Sequence, residues 1–600
     1  MTTQTPHPKT EQPAVRWKPR VANASRVAQA AALGATPLQA RLVAARIPED
    51  SIDLAHFFDP RSHVISWRQL PDIHAAADCI ADAIEQGEHI ACVVDHDADG
   101  ITSHCVLWEA LTLCMGVPVD RIHSVTSHRT KEGYGVSSKL VERVLQLVPR
   151  PALVITADQG STDEPRIREL LEKGIKTVVS DHHGLPKEGP PASAVACVNP
   201  ARTDVPASDP NIAGCMVAML LMAATRDKLI ERGTLPTDAP SLARVMDAVA
   251  IGTTADAVDL GRSATNRFIV RAGLKRMNAL QRPFLKALSE VEPPPWDSQT
   301  IAYRLGPVCN AHGRIDDATA GLEALTTPHL ERARELVAIL RDANERRKVI
   351  EKRVTAQAMA LASDAVAQGC IGLALILPDG HPGVHGISSS RVVEAWGRPT
   401  VCLSPHMEDA QVLTGSVRSV PGFHVREALE SIATNHPELE LLAGGHAGAG
   451  GVRLPASRGL LFCAIWDATV SAAFQGKAPP IEKFHDGALG HELGPQALAE
   501  IEALDPWGRG FELPVFCDTF QLLGIKPVGD GTHLRLEMTD VKGRRWNAIW
   551  FRAIEAGQVP PLAPGAVRIV YRLQRPGPRS TQAVEIHVQA ASNVVQTPIN

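Results

Sequence analysis

The chain lacks any apolar run approaching the length of a membrane-spanning helix, which excludes the usual signature of a helical membrane protein. Its first residues, Met1-Thr2-Thr3-Gln4-Thr5-Pro6-His7-Pro8, have neither the basic nor the apolar region of a signal peptide, so they read as a short disordered leader and the chain is expected in the cytoplasm. No Cys-x-x-Cys pair occurs among the 11 scattered cysteines. That odd number argues against a disulfide framework or a zinc site and for buried reduced thiols. There is no internal repeat and no extended low-complexity segment. Neither sign of charge dominates: a formal net charge of −5 speaks against a simple basic nucleic-acid binder, although a local acidic cluster can coexist with a basic groove. What remains is 44% hydrophobic and 21% charged, an ordinary globular composition. At 600 residues the chain is too long for one core and should form roughly three to five folded units.

From about Ile80 to Pro200, strand and helix patterns alternate: His89 to Asp95, a helix from about Thr102 to Cys114, then Arg121 to Ser127, Leu153 to Asp158, Thr177 to Asp181 and Ala194 to Asn199. This is the pattern of a doubly wound α/β unit. A more helical stretch follows from Ala213 to Met277. The segment from Thr327 to Gln368 has no internal Gly or Pro beyond its opening Thr-Pro and predicts one long helix, with Thr327-Pro328 as cap and first position, or else two shorter helices with a bend. A second α/β segment starts near Cys370, with Gly372–Pro378 as its first strand. Short alternating runs, His533–Met538, Trp546–Phe551 and Val567–Arg572, predict a small β-barrel from about Pro514 onward. The expected division is therefore 1–75 (leader and helical segment), 76–325 (catalytic α/β domain), 326–368 (connecting helix), 369–475 (second, smaller α/β domain) and 476–600 (linker and barrel).

Three of the β-type runs end in acidic residues: Val93-Val94-Asp95-His96-Asp97-Ala98-Asp99-Gly100, Leu153-Val154-Ile155-Thr156-Ala157-Asp158 and Val178-Val179-Ser180-Asp181-His182-His183. In a parallel sheet the carboxyl ends of the strands meet at one crevice where ligands bind. Asp95, Asp97, Asp99, Asp158, Asp181, His182 and His183 would converge there. Like charges so close repel unless cations sit among them, and Mg²⁺ or Mn²⁺ favour oxygen ligands with some imidazole. If the chain stays extended, Asp95, Asp97 and Asp99 point into one space. Gly100 would then permit a tight turn, with Thr102 or Ser103 capping the next helix. Asp158 taken alone reads as a helix cap, although a strand-end carboxylate can also bridge two cations. One of His182 and His183 suits a metal and the other a phosphate or leaving group. Spacing alone makes Asp256 an N-cap or turn residue, and Arg314 and Arg418 surface arginines; glycine beside Ser and Arg nonetheless suits a backbone that approaches an anion. Trp546 and Trp550 read as barrel core.

These residues, in this order, resemble the DHH phosphoesterase superfamily, and within it the exonucleases that degrade single strands from the 5′ end. Asp95 through Ser103 resembles the family's Asp-x-Asp-Ala-Asp-Gly-x-Thr-Ser, Arg129 through Gly135 its Arg-x-x-x-Gly-Tyr-Gly, Asp158-Gln159-Gly160 its strand-end Asp-x-Gly, and Asp181-His182-His183 the signature that names it. Strings at Val198-Asn199-Pro200, Gly252–Asp256, Asn310–Arg314, Gly415–Ser419 and Gly444–His446 also fall where the family has similar ones.

The resemblance implies a parallel-sheet DHH domain, a second α/β domain joined to it by the long helix, and a C-terminal barrel like an OB-fold. It implies that Asp95, Asp97, Asp99, Asp158, His182 and Asp256 hold two Mn²⁺ or Mg²⁺ ions, with Asp158 shared and acting in catalysis. His183 and Arg314 are implied to act near the scissile phosphate, Arg129 to bind substrate, Ser416 and Arg418 to receive a 5′-terminal phosphate, and His446 to belong to the substrate cleft. The implied substrate is single-stranded DNA and the implied partners are single-strand-binding protein and recombination or mismatch-repair proteins, the chain acting as a monomer without a membrane. A DHH phosphodiesterase for short oligonucleotides or cyclic dinucleotides, and a non-catalytic DHH scaffold of a replication assembly, remain as alternatives. The chain departs from the family pattern at His96, Gln159, His312 and Gly448–Gly451, none of them an implied ligand, which reads as a divergent member.

Overall fold

Short runs of Val, Ile and Ala form the central strands of the first half of the chain. Every residue of Ile90–Val94 and Leu153–Ala157 is buried, as parallel strands covered by helices on both faces must be. The structure, a computed structural model, describes residues 12–129, 132, 135–577 and 582–594; the expected leader Met1–Pro8 lies outside the described residues. One compact unit holds Ile65–Val258 and Ile269–Ile481, and a second holds Arg16–Val64, Asp259–Phe268 and Glu482–Asn600.

In the first unit, β1 (Ile90–Val94), β2 (Ile122–Thr126), β3 (Leu153–Ala157), β4 (Lys176–Ser180) and β5 (Ala196–Val198) run parallel in the order β2–β1–β3–β4–β5. The order reverses between β1 and β3, and a ligand crevice lies outside the carboxyl ends of the strands at such a switch point. Register sets Thr126, Val94, Ala157 and Ser180 level, so Ser127, Asp95, Asp158 and Asp181 emerge together on one rim. Helix α1 (Ala98–Glu109) packs on β1 and against α2 (Gly214–Glu231) and α3 (Met246–Ala255).

The start of α1 corrects the sequence reading. Asp97, not Thr102 or Ser103, is the N-cap, and its carboxylate accepts the N–H groups of Asp99 at 2.9 Å and Gly100 at 3.2 Å. An Asx cap captures the first free N–H groups of the helix, so the chain turns at Asp97 instead of continuing extended. Gly100 is helical and makes no turn.

After α4 (Gly306–Ile315) comes α5 (Leu330–Ala367), a single helix of 38 residues. Two shorter helices are not seen. Thr327 is not its cap: the N-cap is His329, and Thr327, with φ −62° and ψ 130°, ends the preceding short helix. The second lobe of this unit has β6 (Leu373–Ile376), α6 (Pro382–Trp396), β7 (Thr400–Pro405), β8 (Val412–Arg418), β9 (Leu442–Gly445) and β10 (Ala449–Pro455), with sheet order β9–β10–β8–β7–β6. Only the β6–β7 pairing is parallel. Phe423, Phe462 and Trp466 lie in its core.

The second unit contains a closed barrel of β11 (Phe516–Val528), β12 (His533–Thr539), β13 (Arg545–Trp550), β14 (Gly565–Gln574) and β15 (Glu585–Asn593), ordered β11–β12–β13–β15–β14. Its parallel closure, β13 to β15, consists of Ala548 with Ile586 and Ile549 with His587. The N-terminal segment belongs to this core: Leu42, Val43 and Phe57 share it with Trp507, Phe511 and Phe520. The Arg46 guanidinium, buried there, donates to both oxygens of Asp486 at 2.7 and 2.8 Å. Trp546 and Trp550 are partly buried and pack on the barrel core, as the sequence reading has them, whereas the next residue, Phe551, is 51% exposed.

Candidate metal centre

Each strand end delivers its acid by a different device. Asp95 follows β1 directly and is nearly enclosed. Its Oδ1 accepts from Ser127 Oγ at 2.9 Å and stands 3.0 Å from His96 Nδ1. Burial opposes its charge, but the imidazole of His96 and the guanidinium of Arg129 hold the carboxyl down at about 2. Asp99 reaches the same rim through the first turn of α1, not through strand alternation, and so corrects the extended reading. Its oxygens accept the N–H groups of Gly214 at 2.7 Å and Cys215 at 2.9 Å, at the positive end of α2. Burial and the Asp97 carboxylate nevertheless raise the Asp99 carboxyl.

Asp158 leaves β3 in the left-handed region, with φ 62°, a conformation that Asp tolerates better than most residues. It caps no helix. Its Oδ1 is enclosed and accepts no hydrogen bond. The Nε2 atom of His182 lies 3.1 Å away but is itself without a hydrogen bond, so proximity here is not bonding. The same Nε2 is 3.7 Å from Asp99 Oδ2 and 3.7 Å from Asp256 Oδ2. Burial, together with the carboxylates of Asp99, Asp97, Asp95 and Asp256, pushes the Asp158 carboxyl well up, and burial pushes the His182 imidazole down.

Asp256, which nothing local marks, is the C-cap of α3. Its side chain joins those of Asp99 and His182 in one group; Asp95, Asp97 and Asp158 form a second, and Asp158, His182 and His183 a third, with candidate ligand atoms within 4.8 Å of one another in each. Asp158 stands in two of the three and beside His182 of the other. Asp181 does not join them. Its Oδ1 accepts the N–H groups of His182 at 2.7 Å and His183 at 3.2 Å, and its Oδ2 that of Ser161 at 3.0 Å. The His183 ring stands 2.8 Å from it through Nδ1. Burial works against charge on His183, but Asp181 dominates and raises the imidazole to about 10.

A set of enclosed carboxylates with unbonded lone pairs is unfavourable as bare charges. Oxygen donors with one imidazole satisfy hard divalent cations such as Mn²⁺ and Mg²⁺, so the residues fit that kind of ion.

The second lobe brings further side chains to this cleft. The His446 ring lies 6.2 Å from that of His183 at 23°. On α4, Arg314 donates from Nη1 to the carbonyl of Gly383 at 3.2 Å and lines a cavity of about 170 Å³ with Ala255, Asn310 and Arg347. Arg418, at the end of β8, lays its guanidinium against α6: a Cβ on Gly386 would stand 2.6 Å from Arg418 Nη2. The Ser416 carbonyl accepts from Ser389 Oγ at 2.9 Å. Arg129 is described, while Thr130, Lys131, Gly133 and Tyr134 of its motif lie outside the described residues.

Several supports escape the sequence reading. Asn199 Nδ2 donates to the carbonyl of His183 at 2.8 Å and to Ser161 Oγ at 2.8 Å. Asn310 Oδ1 accepts the Ala98 N–H at 2.7 Å. Both lie in strings that the family resemblance singles out, the only signal that points to them.

The DHH family, N-terminal domain, matches residues 89–253, and the RecJ OB domain matches residues 489–590, which makes the barrel an OB-fold. A single-stranded-DNA-specific exonuclease RecJ of Salmonella typhimurium is 33% identical over 521 residues, covering 84% of this chain and 87% of its own. Crystal structures of RecJ from Thermus thermophilus resemble the fold: the complex with Mn²⁺ covers 97% of this chain and 80% of its own at 27% identity, TM-score 0.77. The complex with Mg²⁺ covers 97% and 79% at 25% identity, TM-score 0.71. Similarity that spans both chains from the catalytic sheet to the barrel shows that this chain belongs to the RecJ family.

Proposed function

We propose that the chain is a single-stranded-DNA-specific exonuclease that hydrolyses phosphodiester bonds with two divalent ions, Mn²⁺ or Mg²⁺, and works from the 5′ end to release 5′-mononucleotides in DNA repair and recombination. The observation that carries this reading is the enclosed, unbonded pair Asp158 Oδ1 and His182 Nε2 at the switch point, surrounded by Asp95, Asp97, Asp99 and Asp256. Those six residues would hold the ions. When bound, the ions lower the pKa of water and neutralise charge growing on the phosphoryl oxygens.

The other groups position and charge-match. His183, held 2.8 Å from Asp181 through Nδ1, offers its imidazole beside the reacting phosphate, and Asn199 fixes its backbone. Arg314 and Arg129 supply further positive charge along the cleft. Arg418 lies against Gly386 in the second turn of α6, where its guanidinium suits a terminal phosphate; Ser416 is its neighbour on β8. His446, stacked near His183, closes the cleft from the second lobe. The exposed Phe551 of the OB-fold offers a ring on which a base of a flexible strand can stack.

Digestion of 5′- and 3′-labelled single-stranded and duplex DNA with Mn²⁺ tests the proposal. Mononucleotides should leave single strands from the 5′ end only. Asp99→Ala should abolish release and Arg418→Ala should reduce it. Attack from the 3′ end, or equal cutting of short RNA and long DNA, would favour a short-oligonucleotide phosphodiesterase, and no hydrolysis with any divalent ion would favour a scaffold.

A further inference from the structure

Two of the helices that carry candidate ligands are tied together at their far ends by one buried arginine. Helix α1 leaves the metal cluster at Asp99 and ends at Glu109, while α3 begins with Asp247 in its first turn and arrives at Asp256. The two therefore run antiparallel, with one pair of ends at the cluster and the other about 15 Å away by helical rise. At that remote end, Arg282 donates from Nε and Nη2 to the two oxygens of Asp247, both at 2.9 Å. Its Nη1 donates to Glu109 Oε1, and to the Leu325 carbonyl at 2.5 Å. Arg244 Nε reaches the other oxygen of Glu109 at 2.9 Å. Arg282, Asp247 and Glu109 are all buried, and two arginines balance two acids.

The contact between the helices makes this network matter for register. At mid-length α3 meets α1 through Gly252, whose missing Cβ would collide with Thr102 Oγ1. The glycine lets the two helices approach closely at that point, and the ion-pair network adds a second tie at their remote end. A planar fork that grips one carboxylate with two parallel bonds and a second with a third donor fixes distance and angle together. We infer that Arg282 is a positioning residue that locks α1 and α3 in register through Glu109 and Asp247, and so sets the spacing of Asp99 and Asp256 about the divalent ion they share. The inference rests on the metal reading above.

The test compares Arg282→Lys, which keeps the charge but cannot form the fork, with Arg282→Met/Asp247→Leu, which removes one charge of each sign and leaves Glu109 with Arg244. Replacing buried ion pairs with apolar groups of similar volume is often neutral for stability, so the double variant should fold even if an unpaired charge unfolds others. The exposed Arg334→Met serves as a control, since its partners Glu290 and Glu331 lie on neither helix. Mn²⁺ binding is measured by calorimetry and electron paramagnetic resonance without DNA, alongside kcat and KM on single strands. Both Arg282 variants should bind Mn²⁺ about tenfold more weakly or worse, the scale of support-shell losses at metal sites, with kcat reduced and KM for DNA unchanged. The control should match wild type. Wild-type Mn²⁺ affinity in the folded double variant would overturn the inference, whatever Arg282→Lys does. Asp99→Ala binding Mn²⁺ as wild type does would instead sink the metal reading itself.

Discussion

Placing one methyl group at Gly252 should disable the site from within. An ideal Cβ there would collide with Thr102 Oγ1 and stand 2.6 Å from Cys215 Sγ and 2.9 Å from Asp99 Oδ1. Non-bonded heavy atoms pack at about 3.5–4.0 Å, so the overlap with Cys215 alone is about 1 Å. None of these three atoms is free to swing away. Thr102 Oγ1 donates to the Ala98 carbonyl at 2.8 Å, Cys215 Sγ approaches the Val249 carbonyl at 3.5 Å, and Asp99 is fixed by two N–H groups of α2. The helices must therefore part by about 1 Å, an overpacking cost of about 1–3 kcal/mol. Asp256 lies one turn beyond Gly252 on α3, so the shift reaches it nearly undiminished. A 1 Å misplacement can cost about 100-fold in rate. Gly252→Ala should therefore lower kcat by about two orders of magnitude in release of labelled nucleotide from single strands with Mn²⁺, while the circular dichroism spectrum is kept. Adding Thr102→Ala removes the shortest of the three overlaps and should restore part of the rate. A Gly252→Ala enzyme that melts and turns over as wild type does would refute the reasoning.

Asp158→Asn removes one of the repelling carboxylates, so the ion-free protein should melt higher than wild type. Wild type at 100 times the Mn²⁺ dissociation constant should gain about 2.7 kcal/mol, and the variant little; an equal Mn²⁺ shift in both would count against Asp158 as a ligand. Asp163 carries a carboxyl raised to about 6 by burial and the nearby Asp181. A folded-state value above the unfolded 3.8 means that stability from this group is present below about pH 4 and lost as pH rises through 6. Asp163→Asn keeps an acceptor for the Val136 N–H, bonded at 2.9 Å, and should gain up to about 2–3 kcal/mol. That gain should grow between pH 4.5 and 7 and level off above; a pH-independent gain would contradict the assignment. In the barrel, Trp550→Ala should cost up to about 3 kcal/mol of stability. Phe551→Ala should leave melting unchanged and weaken single-strand binding by about 1–3 kcal/mol, measured by fluorescence anisotropy; unaltered binding would remove Phe551 from the strand's path.

Strand ends were legible because buried parallel strands are continuous runs of β-branched and small apolar residues, and the acids that follow them stand out. That reasoning located Asp95, Asp158, His182 and His183. It failed where the chain left the strand. Asp99 was expected to point inward by alternation, but Asp97 caps a helix and Asp99 arrives by its first turn. Asp256 and Arg314 sit on helices separated from the sheet by long stretches, and only tertiary packing gives them neighbours; no local spacing distinguishes them from ordinary turn or surface residues. Asp181 stands at a strand end like the candidate ligands but outside their set, and its carboxylate holds the His183 backbone and ring. The contribution of the N-terminal segment to the barrel unit was hidden for a similar reason, since Arg46 and Asp486 are matched across most of the chain.

A cylinder stitched by long ladders on four sides and by two residue pairs on the fifth will part along the short stitch. Among the described residues the register pairs between β13 and β15 are Ala548 with Ile586 and Ile549 with His587, with the Gln582 side chain accepting the Asn547 N–H beside them, so transient opening there disturbs few backbone hydrogen bonds. His587 stands on the seam and Phe551 just past its end, with their rings 5.2 Å apart. Unzipping would loosen that ring pair first while the antiparallel ladders opposite stay intact, so the barrel can adapt its girth at the aromatic edge without unravelling.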